Sequence, residues 1–153
     1  MSLSSCNLEP LKGDKENSVP EIKPGSVIHS FSNQAGKIKR IVVLALNQEG
    51  LLTLTAYFNT KKPFMQVKKL AELQFHLKAD GNNFLDHDSF INCAHPEIKP
   101  LSELQNTVKS DPKSYLGDID YKKLDEIITM VSNAYTVSKA DIKKFGLTDY
   151  IIK

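Results

Sequence analysis

IKRIVVLAL (38–46) is the stretch that decides the fold. Successive residues of a strand point to opposite faces. A run that is apolar at consecutive positions, as this one is from Ile41 to Leu44, therefore has both faces covered and reads as a central strand. Working outward, GSVIHSFS (25–32) follows a Pro-Gly break and alternates Val27, His29 and Phe31 against Ile28 and Ser30; NQAGK (33–37) turns the chain into the central strand. On the other side, NQEG (47–50) signals a tight turn, and LLTLTAYF (51–58), rich in β-branched and aromatic residues, runs into NTKKP (59–63). FMQVKKL (64–70), ELQFHL (72–77) and DSFINCA (88–94) read as further strands. Five or six short strands without intervening helices predict a small antiparallel barrel or curled sheet over 23–100.

After Pro100 the period becomes helical. LSELQNTV (101–108) predicts one short helix and DYKKLDEIITMVSNAY (120–135) a longer one. In the longer one Tyr121, Leu124, Ile127, Ile128, Val131 and Tyr135 share a face and Asp120 is placed to cap the N-terminus. SKADIKKFG (138–146) starts at a Ser cap and stops at Gly146. The expected class is α+β, with residues 101–153 forming a helical part packed on the barrel in the same domain. Residues 1–22, with Pro10, Gly13, Pro20 and no apolar period, read as an extended or disordered tail, dispensable for the fold, whose acidic balance suits the basic 61–78 stretch.

The chain has 153 residues, 41% of them hydrophobic and 25% charged, with a net charge of +2, so it belongs with ordinary globular domains and carries no global signature of a nucleic-acid binder. No apolar run reaches the ~18–20 residues of a membrane span. Two cysteines, Cys6 and Cys93, are too few for a disulfide scaffold, and with no signal-peptide pattern the expected compartment is the cytoplasm. Cations concentrate locally, in Lys37, Lys39 and Arg40 and again in Lys61, Lys62, Lys68, Lys69 and Lys78. Arg40 is the only arginine, and its guanidinium fork suits paired contacts to phosphate or carboxylate.

Other chemistry is thin. There is no phosphate-binding Gly loop. His87, Cys93 and His95 lack the second ligand pair that zinc sites use, so no metal or cofactor is expected. Cys93 and His95 read either as a nucleophile pair or, for Cys93, as a small buried hydrophobe. LDHDSF (85–90) reads either as an acid–base cluster or as carboxylate-stabilised turns before a strand.

The order KPGSVIHSF, a Gly-containing loop, KRIVVLAL and then LTLTAYFNT resembles the MazF/PemK toxin family of type II toxin–antitoxin systems. LDHDSFINCAH and LDEIITMV are similar to a later strand and the C-terminal helix of that family; the resemblance covers roughly residues 23–133. It implies an SH3-like barrel, a homodimer, a small antitoxin partner and metal-independent endoribonuclease action on single-stranded RNA. It places the family's catalytic Arg on Lys39 by ungapped position or on Arg40 by residue type, and its catalytic hydroxyl on Asn59 or Thr60. His29 or His87 would move protons. Lys37, Lys61 and Lys62 would hold phosphates, with Tyr57 or Phe58 as the stacking platform. The other function class is a non-catalytic SH3-like adaptor, of phage or mobile-element origin, offering Tyr57, Phe58 and Phe64 as an apolar groove. The two readings part on one point: catalysis needs Arg40 or Lys39 to meet Asn59, Thr60 or a histidine in one concave site.

Overall fold

The computed structural model describes residues 19–152. The tail expectation for 1–18 lies outside the described residues. In chain order the elements are β1 (Ser26–Ser32), β2 (Lys37–Leu46), β3 (Leu52–Asn59), α1 (Lys68–Ala71), β4 (Gln74–Leu77), β5 (Ser89–Asn92), β6 (Glu97–Pro100), α2 (Leu101–Ser110), β7 (Tyr115–Asp118), α3 (Tyr121–Ser132) and α4 (Lys139–Lys144). The fold is α+β, with one antiparallel sheet in the order β4-β5-β3-β2-β1-β7 and β6 paired to β3. None of the helices among the described residues is long and apolar enough to cross a membrane.

β2 is central and covered on both faces. Ile41 and Val43 pack with Ile28, Tyr57 and, from α2, Leu104 and Val108. Val42 and Leu44 pack on the opposite face with Val27, Leu54, Phe58 and the α3 residues Leu124, Ile127, Ile128 and Val131. A bulge between Val43 and Ala45 lets Leu44 and Ala45 both join the α3-side core while Leu46 joins the other. Each of these side chains, fully buried, is worth roughly 1.5–3 kcal/mol of transfer free energy. Ile22, from the expected tail, is also buried, against the α2 side.

Four sequence expectations change. FMQVKKL is not a strand: Phe64 adopts φ 62° directly after Pro63, the Val67 amide donates to the Phe64 carbonyl at 2.9 Å, and Lys68–Ala71 coil into α1. β6 and β7 interrupt the expected β-then-α order. Tyr121 and Tyr135, placed on the core face by period, are 73% and 63% exposed: Tyr121 is the first residue of α3, and Tyr135 lies beyond its end at Ser132. The sheet is not closed into a barrel: its path runs from β4 to β7, and no ladder joins those two. Side chains from the loop before β5 fill that region instead. Phe84 meets Phe58 edge-on at 6.4 Å between centroids and lies so close to Gly117 that a Cβ there would be 3.1 Å from its ring; Leu85 enters the α3-side core.

The capping residues are those the sequence suggested. Asp120 accepts from the Lys122 and Lys123 amides, Ser138 from the Asp141 amide. Truncating Ile127 to Ala, at 0% exposure, is expected to cost about 2–5 kcal/mol in urea unfolding, while Tyr121→Ala costs under about 1 kcal/mol. Equal losses from the two would show that α3 does not pack as described.

Candidate functional site

A cleft of about 270 Å³ opens where β3 ends beside β2. Its wall is built by His29 of β1, Lys37, Ile38, Lys39 and Arg40 of β2, Phe58 and Asn59 of β3, and the following Thr60, with Ser89 of β5 at the far side. The arrangement follows from pairing. His29 and Arg40 are cross-strand partners, which puts their Cβ atoms about 5 Å apart on one face. Ile41 pairs with Tyr57, so the chain segments one and two residues further on bring Arg40 and Lys39 beside Phe58 and Asn59. Lys39 Nζ donates to Asn59 Oδ1 at 2.9 Å and lies 5.6 Å from the centre of the Tyr57 ring.

The electrostatics are cationic. Three basic side chains line the cleft and no carboxylate does. Burial, reinforced by Arg40, holds the His29 imidazole below its usual pKa, against an opposing pull from Asp111. Burial and the neighbouring Lys37 push the Lys39 ammonium down as well. Arg40 reaches Asp86 Oδ2 only at 4.0 Å, and that carboxylate is 91% exposed, so the pair is weak. Its Nε is buried with no acceptor among the described residues. A buried donor left without a partner costs of order 1–3 kcal/mol.

Of the residues singled out in the sequence, the structure brings together Lys37, Lys39, Arg40, Asn59 and Thr60, with His29. It separates others. Tyr57 is buried, its hydroxyl accepting from Asn92 Nδ2 at 2.9 Å, so it is no stacking platform. Phe58 is buried too, 4% exposed. Lys61 and Lys62 are exposed beyond the cleft. Of the three aromatics named for an adaptor groove, Tyr57 and Phe58 lie in the core, while Phe64 is exposed, 37%, beside His95.

The remaining clusters resolve to structural roles. Asp88 accepts from the Ala79 amide at 2.9 Å and from His76 Nε2 at 3.1 Å, and the amide bond above all draws its carboxyl below the usual range. His87 is exposed and outside the cleft. Cys93 is fully buried, which pushes its thiol up to about 12, while His95 lies against Phe64 at 5.8 Å between rings. No three His, Cys, Asp or Glu side chains gather as a metal-binding group among the described residues.

Ser89 and Ile38 were not foreseen as lining residues. Ser89 carries no signal of its own, and Ile38 looked like an ordinary strand hydrophobe. No family model matches the sequence, and no curated protein matches it.

With Cys6 replaced by Ser, the sole thiol is Cys93, and iodoacetamide at pH 8 is expected to label it only after urea unfolding. Labelling of the native protein within minutes would contradict its burial.

Proposed function

We propose that the cleft binds a phosphodiester of single-stranded RNA and cleaves it by attack of the neighbouring 2′-hydroxyl, as an endoribonuclease of the MazF/PemK type. The observation that carries this reading is the convergence of Lys37, Lys39 and the unsatisfied Arg40 guanidinium with His29, Asn59 and Thr60 in one concave site. It is the convergence on which the catalytic and adaptor readings were to be separated. The sequence resemblance adds the expectation of an SH3-like architecture, to which an antiparallel sheet packed against α3 lends support. A homodimer and a small antitoxin partner rest on the resemblance alone.

In this mechanism His29, neutral near pH 7 because burial and Arg40 disfavour its cation, takes the proton from the 2′-hydroxyl. The 2′-oxygen attacks phosphorus and the P–O5′ bond breaks, leaving a 2′,3′-cyclic phosphate and a 5′-hydroxyl. Arg40 stabilises the charge that builds on the non-bridging oxygens. Lys39, made more acidic by burial and Lys37, supplies a proton to the departing O5′. Asn59 fixes the Lys39 ammonium, and the Thr60 hydroxyl is placed to bond a phosphate oxygen.

Purified protein incubated with mixed-sequence single-stranded RNA is expected to release fragments ending in 2′,3′-cyclic phosphate. Arg40→Ala should lower the rate about 10²–10³-fold. Intact RNA, or an Arg40→Ala protein as active as the parent, would overturn the reading.

The pH profile is a separate check. The basic form of His29 is the active one, so the rate rises with pH through a midpoint below the ordinary histidine pKa of about 6.5. A rate that climbs only above pH 8 would remove His29 from the base role.

A further inference from the structure

Beside the cationic cleft lies a second cavity of about 460 Å³, sharing its His29 and Ile38 wall. Resting on the RNA reading above, we infer that this second cavity is a nucleobase subsite, with Phe31 as the stacking surface and the Asp111 carboxylate selecting guanine. Phe31 and Ile38 are cross-strand partners one pair further along the hairpin than His29 and Arg40, so all four side chains share a face. Two residues along a strand span about 7 Å, comparable with the reach from a phosphate to its own base.

Phe31 is 49% exposed and Ile38 69%, whereas the β3 aromatics Tyr57 and Phe58 are buried. An apolar pair kept in water on the same face as Arg40, with Lys37 and Lys39 lining the adjoining cleft, matches the two demands of single-stranded RNA, charge for the phosphate and a flat apolar surface for the base.

Asp111 lines the same cavity at the end of α2, together with Thr107 and Ser114. The Ser114 hydroxyl is spent on the Asp111 and Thr107 carbonyls, and that of Thr107 on Glu103. The Asp111 carboxylate takes only the Lys113 amide, at 3.3 Å through Oδ1, and stays exposed. An ionised carboxylate accepts and never donates. The base that offers it two adjacent donors is guanine, through N1–H and the 2-amino group; uracil offers a single N3–H flanked by two carbonyl oxygens that repel a carboxylate.

The test uses uncleavable 2′-O-methyl pentanucleotides UUXUU with X as G, A, C or U, and fluorescence anisotropy at low salt. The parent protein should bind the G probe about tenfold more tightly than the U probe. Asp111→Asn should erase that preference while leaving U binding intact. Phe31→Ala should weaken all four by at least about fivefold, and Phe31→Tyr should restore them, which separates stacking from misfolding. Parent-like binding by both Phe31→Ala and Asp111→Asn, with Arg40→Ala still defective, would overturn the subsite and leave the RNA reading standing. If the parent binds no probe at all, the RNA reading falls and the subsite with it.

Discussion

β2 is one strand with two kinds of surface, and the molecule is organised around the junction between them. From Ile41 to Leu44 it is at most 1% exposed, held between α2 on one face and α3 on the other. From Lys37 to Arg40 it runs alongside the last residues of β3 and beyond its end, carrying three cations. Ordinarily such a row of like charges repels itself. Here the apolar half anchors the charged half, so the core's packing free energy holds Lys37, Lys39 and Arg40 together in one cleft. Burial first, and the neighbouring cations second, lower the affinity of Lys39 and His29 for protons.

A second buried cluster fixes the turn that feeds this strand. Glu97 of β6 accepts from the Ser32 hydroxyl, from the Gln34 amide at 2.6 Å and from the Asn33 amide at 3.2 Å. Lys99 Nζ, 3% exposed, sits 3.8 Å from Glu97 and donates to Glu103 at 3.0 Å. Removing one member of such a set strands the others in low dielectric, typically at 3–5 kcal/mol. The cluster ties the β1–β2 turn to β6 and α2, and so sets where the hairpin presents Phe31, Ile38 and Lys37.

Much of this was legible from residues alone, and the limits have physical causes. The both-faces-apolar pattern of β2 identified the central strand, and the 3.6-residue period with its Asp120 cap identified α3. β6 was invisible because its buried positions are Glu97 and Lys99 while Ile98 faces outward, the reverse of the pattern a strand normally shows. Phe84 and Leu85 enter the α3-side core from a loop, whose packing has no local period to read. In the cleft, pairing across NQEG was enough to place Lys39 and Arg40 beside the end of β3. Alternation tells which residues share a face, though not what covers it, so the burial of Tyr57 and the exposure of Phe31 and Ile38 required the tertiary structure.

The central claim is that the charged end of β2 is a binding site for a nucleic-acid phosphate. The most direct measurement is a two-dimensional amide NMR titration of the isotopically labelled protein with an uncleavable 2′-O-methyl RNA pentamer at low salt and again at high salt. The account predicts shifts concentrated at His29, residues 37–40, Asn59 and Thr60 that shrink as salt rises, because bound phosphate displaces counterions. Shifts centred on another surface, or none at these residues at low salt, would contradict it.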